Sequence, residues 1–152
     1  MTKILFVCHG NICRSPMARF IMEELIQKEG LSDGFWIDSA ATSTEELGNG
    51  LYYPAEQILR RHGIPCTGHI ARQIKRQDYE TYDLLIGMDH ANIRNMRNAF
   101  GGDPDGKIRL MSKFGDFEGE IADPWYTRDF ELSFRQIENG CHGLLKYIKE
   151  EK

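Results

Sequence analysis

Short apolar runs bounded by turn residues alternate along this chain with longer segments in which apolar positions recur every three or four residues. Ile4-Leu5-Phe6-Val7 has the continuous apolar character of a strand buried on both faces. From Pro16 to about Gly30 the period changes. Ala18, Ile21, Met22 and Leu25 share one helical face with Glu23, Glu24 and Lys28 opposite, and Gly30 is a suitable stop. Phe35-Trp36-Ile37-Asp38-Ser39 predicts a second strand, followed by a loop through Gly48-Asn49-Gly50 and a helix from about Pro54 to His62. Leu84-Leu85-Ile86-Gly87-Met88 predicts a third strand, with Asp89 capping a helix that runs towards Phe100. Gly101-Gly102-Asp103-Pro104-Asp105-Gly106 is a turn, and Ile108-Arg109-Leu110-Met111 a fourth strand. Phe130, Phe134, Ile137, Cys141, Leu144 and Ile148 lie on one face of a long C-terminal helix.

Alternating strands and helices predict an α/β fold, with a parallel sheet covered by helices on both faces. No repeat, low-complexity segment or linker interrupts the chain, so residues 1–152 are expected to form one domain. In such sheets ligands bind beyond the carboxyl ends of the strands. The residues that follow the first strand are therefore the first place to look for chemistry.

They read Cys8-His9-Gly10-Asn11-Ile12-Cys13-Arg14-Ser15-Pro16. Gly10 and Asn11 permit a tight loop, and Ser15-Pro16 reads as an N-cap followed by proline at the first helical position. Loop and helix N–H groups then converge on one point, where they and the positive end of the helix dipole hold an anion such as phosphate. Arg14 adds a planar fork able to bond two phosphate oxygens. Oriented amides, Arg14 and the Ser15 hydroxyl all favour the thiolate of Cys8, the form that attacks phosphorus. Read alone, Cys8 would be a buried cysteine ending a core strand; these neighbours make it a nucleophile.

Cys-x5-Arg-Ser after an N-terminal strand, joined to Asp123-Pro124-Trp125-Tyr126 far along the chain, resembles the low-molecular-weight protein tyrosine phosphatase family. Ile37-Asp38-Ser39-Ala40, Arg61-His62-Gly63-Ile64, Ala71-Arg72-Gln73 and Met88-Asp89 extend the likeness over nearly the whole sequence. The resemblance implies a single-domain, three-layer, doubly wound fold whose four parallel strands run in the order 2-1-3-4. It also implies hydrolysis of phosphotyrosine through a cysteinyl-phosphate, with Cys8 as nucleophile, Arg14 on the phosphate and Asp123 as general acid and base. His9, Gly10, Asn11, Ile12, Cys13, Arg14 and Ser15 would form the phosphate loop. Asn11, Ser15, Ser39 and His69 match positions whose hydrogen bonds hold that loop in shape.

A tyrosine leaving group departs as a phenolate whose conjugate acid has a pKa of about 10, so a positioned acid is worth roughly 100-fold to 10,000-fold. Asp-Pro by itself is a turn starter; in the family pattern Asp123 becomes that acid. Trp125 and Tyr126 look like a wall for a flat phosphotyrosine ring, although either could pack the loop. Tyr52 and Tyr53 read equally as pocket-mouth or packing residues, and His62, His90 and His142 as surface or capping residues. Cys13 either packs beneath the loop or captures an oxidised Cys8 as a disulfide, and the resemblance favours the second.

Two features bear on substrate. Thr44-Glu45-Glu46-Leu47 stands where many family members place an aromatic residue, which leaves peptide preference open. A phosphoarginine-specific branch carries Thr where this chain has Ile12, so Ile12 favours phosphotyrosine. Arsenate reductases share the scaffold, but Cys66 and Cys141 do not resemble their closely spaced relay pair.

The chain is 41% hydrophobic and 28% charged with a formal net charge of −4, which fits a globular enzyme and argues against a basic nucleic-acid footprint. Lys3 followed by a four-residue apolar run does not make a signal peptide, and no stretch reaches membrane-spanning length. A cytoplasmic protein is expected, with neither nucleic acid nor membrane as partner. Four cysteines without a Cys-x2-Cys pair predict free thiols and no metal site, and no cofactor is called for. Partners are expected to be phosphotyrosine-containing proteins, with autophosphorylated tyrosine kinases as candidates by family analogy.

Overall fold

The computed structural model describes residues 1–151. Four strands, β1 (Thr2–Cys8), β2 (Phe35–Ala41), β3 (Leu84–Gly87) and β4 (Ile108–Leu110), form one parallel sheet in the order β2-β1-β3-β4. Helices are α1 (Arg14–Lys28), α2 (Tyr53–Arg61), α3 (Asp78–Thr81), α4 (His90–Phe100), α5 (Pro124–Thr127) and α6 (Phe130–Glu151).

The period-2 geometry of a strand sorts β1 onto two cores. Ile4, Phe6 and Cys8 face one side, where they join Met17, Ile21 and Met22 of α1 and Phe134, Ile137 and Leu144 of α6. Leu5 and Val7 face the other, with Tyr79 of α3 and Met96 and Phe100 of α4. Both faces of β1 are therefore apolar, which explains its unbroken hydrophobic run.

β1 lies between β2 and β3, with Cys8 in register with Ala41 and Val7 with Gly87. The strand order reverses direction here, and the gap beyond the ends of β1 and β3 is the crevice in which doubly wound folds hold ligands. Gly87 allows α4 to begin at once: a Cβ there would meet Asn92 and Ile93 at 3.0 Å. Asp89 caps α4 in a reciprocal capping box, its Oδ1 accepting from the Asn92 N–H at 2.8 Å.

The first helix differs from the sequence expectation. α1 starts at Arg14, its N-cap is Cys13, and no side chain caps it. Ser15 and Pro16 are therefore already inside the first turn. The Ser15 hydroxyl is drawn to the Cys8 sulfur, and Pro16 lies where a helical N–H has no intrahelical partner to lose. At the other end Gly30, with φ +71°, takes the left-handed conformation expected of a helix stop.

Candidate active site

Cys8 ends β1 with its sulfur pointed into the following loop. The Asn11 and Ser15 N–H groups donate to Sγ at 3.3 and 3.4 Å, and the Ser15 hydroxyl lies 3.0 Å away. Asn11 Nδ2 donates to that hydroxyl at 2.7 Å, which leaves the hydroxyl proton free to turn towards sulfur. A longer alternative, to the Ala40 carbonyl, measures 3.5 Å. Three donors around one sulfur suit a thiolate.

The loop is held open by Asn11, which adopts φ +60°, a conformation that asparagine tolerates better than most residues. Its Oδ1 accepts from the Arg72 N–H at 3.2 Å, and its own carbonyl lies 2.6 Å from His69 Nε2. Arg72 is fixed in turn by a two-pronged pair with Asp78 at 3.1 and 3.3 Å. Because the carbonyl can only accept, His69 Nε2 carries the hydrogen. Burial lowers the His69 pKa, outweighing the Asn11 contact that raises it, and favours the neutral ring. Ser39 lies on β2 opposite Phe6. The Ser39 hydroxyl and His69 Nδ1 are buried without a hydrogen-bond partner among the described residues.

Arg14 leads α1 and is almost wholly buried. Nη1 donates to the Ile121 carbonyl at 3.0 Å and pairs with Asp89 Oδ2 at 3.0 Å; Nη2 lies 3.4 Å from Asp123 Oδ2. Nε and Nη2 share the edge of the guanidinium whose geometry suits bidentate phosphate binding. Burial disfavours the charged form, but Cys8, Asp123 and Asp89 together outweigh it and raise the Arg14 pKa. Asp89, expected from the sequence as a helix cap and as part of the Met88-Asp89 likeness, also holds the Arg14 guanidinium, a contact that no local pattern signals.

Asp123 caps α5, its Oδ1 accepting from the Trp125 N–H at 3.0 Å. Its other oxygen faces the Arg14 guanidinium across the cleft. The cleft, of about 200 Å³, is lined by residues 8–14 and Asp123, together with Trp125, Tyr126, Glu45 and Glu46. Tyr126 is 81% exposed and Trp125 45%. His9 Nε2 and Glu45 Oε2, both on exposed residues, lie 3.0 Å apart. Asn49 holds the Glu46 carboxylate at 2.7 Å. Tyr53 is exposed, whereas Tyr52 packs against Ile12, Cys13 and Ala71 beside Phe130.

Cys13 is buried, and burial first, then the charges of Cys8 and Asp123, push its thiol far above the ordinary range. It is therefore a neutral thiol near Cys8. Cys66 and Cys141 pack in the core that includes α1 and α6, away from the cleft lining. His62 stacks on Phe134 at 4.0 Å and pairs with Glu131 at 3.1 Å, while His90 and His142 are exposed. Among the described residues, no group of three or more His, Cys, Asp or Glu side chains is arranged to hold a metal ion, and no helix is long and apolar enough to cross a membrane.

The chain matches the family model described as low molecular weight phosphotyrosine protein phosphatase over residues 3–152. It is 40% identical to the low molecular weight protein-tyrosine-phosphatase YfkJ of Bacillus subtilis, over 100% of this chain and 99% of that protein. The crystal structure of YfkJ superposes with a TM-score of 0.96, covering 100% of this chain and 97% of that one at 38% identity. The low molecular weight phosphotyrosine protein phosphatase of Rattus norvegicus is 38% identical over 95% of this chain and 94% of its own. The Drosophila arginine phosphatase structure is also similar, with a TM-score of 0.88 and 31% identity, over 97% of this chain and 98% of that one.

Proposed function

The chain belongs to the low molecular weight phosphotyrosine protein phosphatase family, and on that premise we propose that it hydrolyses phosphotyrosine in proteins with Cys8, Arg14 and Asp123 as its catalytic residues. The observation that carries this reading is the convergence of three donors on the Cys8 sulfur, in a cleft that also holds Arg14 and Asp123.

The phosphoryl group enters with its oxygens on the loop N–H groups of residues 9–15 and on Nε and Nη2 of Arg14. Its aromatic ring lies between Trp125 and Tyr126 on one side and the Glu45-Glu46 segment on the other. Cys8 thiolate attacks phosphorus, the phosphorus–oxygen bond to tyrosine breaks, and protonated Asp123 delivers its proton to the departing oxygen. Asp123, now a carboxylate, takes a proton from the water that attacks the cysteinyl-phosphate. Inorganic phosphate leaves and the thiolate is restored. Asn11, Ser15, Ser39 and His69 serve as supports of the loop.

Residues 1–152 act as one catalytic domain in a cytoplasmic enzyme, and autophosphorylated tyrosine kinases are candidate substrates. The likeness to an arginine phosphatase keeps phosphoarginine as a second substrate to assay, with Ile12 at the cleft floor as the residue that favours phosphotyrosine. An arsenate reductase relay has little support from Cys66 and Cys141, which pack in the core.

Acid quenching during turnover of an aryl phosphate tests the assignment: phosphate should be recovered on the Cys8 peptide. Cys8→Ser should lose turnover while still binding inorganic phosphate, and Arg14→Ala should lose both. Turnover by Cys8→Ser at a tenth of the normal rate would refute the covalent route.

A further inference from the structure

The segment carrying Asp123 is tied down unevenly. At its front, the Ile121 N–H donates to the Met88 carbonyl at 3.0 Å, the Ala122 N–H to Gln136 Oε1 at 2.8 Å, and the Ser133 hydroxyl to the Ala122 carbonyl at 2.7 Å. Beyond Asp123, residues 125–129 are exposed, as expected of a segment with low local stability. Its far end turns at Arg128, a residue with φ +61°. That left-handed turn sends the guanidinium back over the Tyr52 and Phe130 rings, 5.6 Å from each, and Nη2 donates to the Tyr52 hydroxyl at 3.1 Å.

Tyr52 also meets the middle of the segment, its ring 5.0 Å from that of Trp125. Yet its backbone belongs to the other half of the site: the Tyr52 N–H donates to the carbonyl of Ile12, in the phosphate loop, at 2.9 Å. One residue therefore touches both the loop that presents the nucleophile and the loop that presents the acid.

We propose that Tyr52 and Arg128 form a clasp that sets Asp123 at its working distance from the leaving-group oxygen. The inference rests on Asp123 being the proton donor. Proton transfer in flight requires hydrogen-bond reach, and a displacement of about 1 Å can cost roughly 100-fold. The clasp references the acid to the phosphate loop itself. Tyr52 and Arg128 are positioning residues: neither needs to touch the reacting atoms.

A purely structural role for the clasp would lower rates for all substrates together. A positioning role acts on leaving-group protonation alone. Arg128→Gly, Tyr52→Leu and Tyr52→Phe are assayed with a series of aryl phosphates from phenyl to nitrophenyl, alongside Asp123→Asn, with inorganic phosphate as competitive inhibitor. Glycine tolerates the left-handed turn, so Arg128→Gly removes the guanidinium without adding backbone strain.

The expected result for Arg128→Gly and Tyr52→Leu is a kcat/KM loss about 10-fold larger for phenyl phosphate than for the nitrophenyl ester. Inhibition by phosphate should change by no more than about two-fold, because the phosphate loop keeps its own donors. Tyr52→Phe, which keeps the ring and loses the hydroxyl, should fall between these variants and wild type. Equal losses for every leaving group, with Asp123→Asn still sensitive to it, would overturn the clasp and leave the acid assignment standing. Insensitivity of Asp123→Asn itself would remove the acid assignment and the clasp together. Should Tyr52→Leu fail to fold, Arg128→Gly decides the matter alone.

Discussion

Arg14 Nη1 and Asp89 Oδ2 lie 3.0 Å apart, an ion pair between the first residue of α1 and the residue that caps α4. Asp89 therefore does two things with two oxygens, since Oδ1 accepts from Asn92 while Oδ2 holds the Arg14 guanidinium.

Substitution separates the two roles. Asp89→Asn keeps a good capping side chain but removes the charge beside buried Arg14. Arg14 retains Asp123 and the Ile121 carbonyl, so the loss should fall below that of an isolated buried charge, at about 2 kcal/mol. Asp89→Ala should lose about 1 kcal/mol more, for the cap. Urea unfolding of the two variants measures both steps; equal stabilities would mean that the cap contributes nothing.

Peroxide should inactivate the enzyme reversibly. The Cys8 thiolate is oxidised to a sulfenic acid as peroxide is reduced to water, and the Cys13 thiol then forms a disulfide with it and expels a second water. Cys66 and Cys141 are buried elsewhere and should remain reduced. Activity should return with a thiol reductant in the wild type, whereas oxidised Cys13→Ser should progress to irreversible forms. Peptide mapping checks the pairing, and a Cys8 disulfide to Cys66 or Cys141 would count against it.

His69 gives stability a pH dependence whose sign follows from burial. Its folded pKa is lowered, so between that value and the ordinary imidazole value near 6.5 the unfolded chain binds more protons than the folded one. Stability is therefore fully present above about pH 6.5 and is lost as pH falls towards the folded pKa. His69→Gln keeps a donor for the Asn11 carbonyl and has nothing to titrate. Unfolding in urea at about pH 7 and pH 5 should show a smaller difference for the variant than for the wild type. An equal difference would assign the slope to other groups.

Much of this protein is legible along the chain because the relevant physics is local. The unbroken apolar run at 4–7, the helical period after Pro16 and the glycine and asparagine between them place Cys8 and Arg14 on one strand-loop-helix unit, where neighbours in sequence are neighbours in space. Ser15 shows the limit even there. Its residue type suits a cap, but the nearby sulfur and Asn11 compete for the hydroxyl, and the helix begins before it. Asp123 stands out in the sequence only through resemblance, since by local rules Asp-Pro reads as a turn starter.

The remaining relationships depend on which strands become neighbours. Pairing β1 with β3 brings Asp89 to Arg14, and the return of α6 along the sheet carries Asp123 to Arg14 and Arg128 to Tyr52. The residue sequence alone determined the strand-loop-helix unit that carries Cys8 and Arg14 and the alternation of strands and helices, because contiguous patterns encode them. Only the tertiary structure decided that Asp89 holds Arg14 and that Tyr52 meets Arg128. Such contacts join segments whose separation along the chain carries no period, and they form only when burying both faces of β1 fixes the order of the sheet.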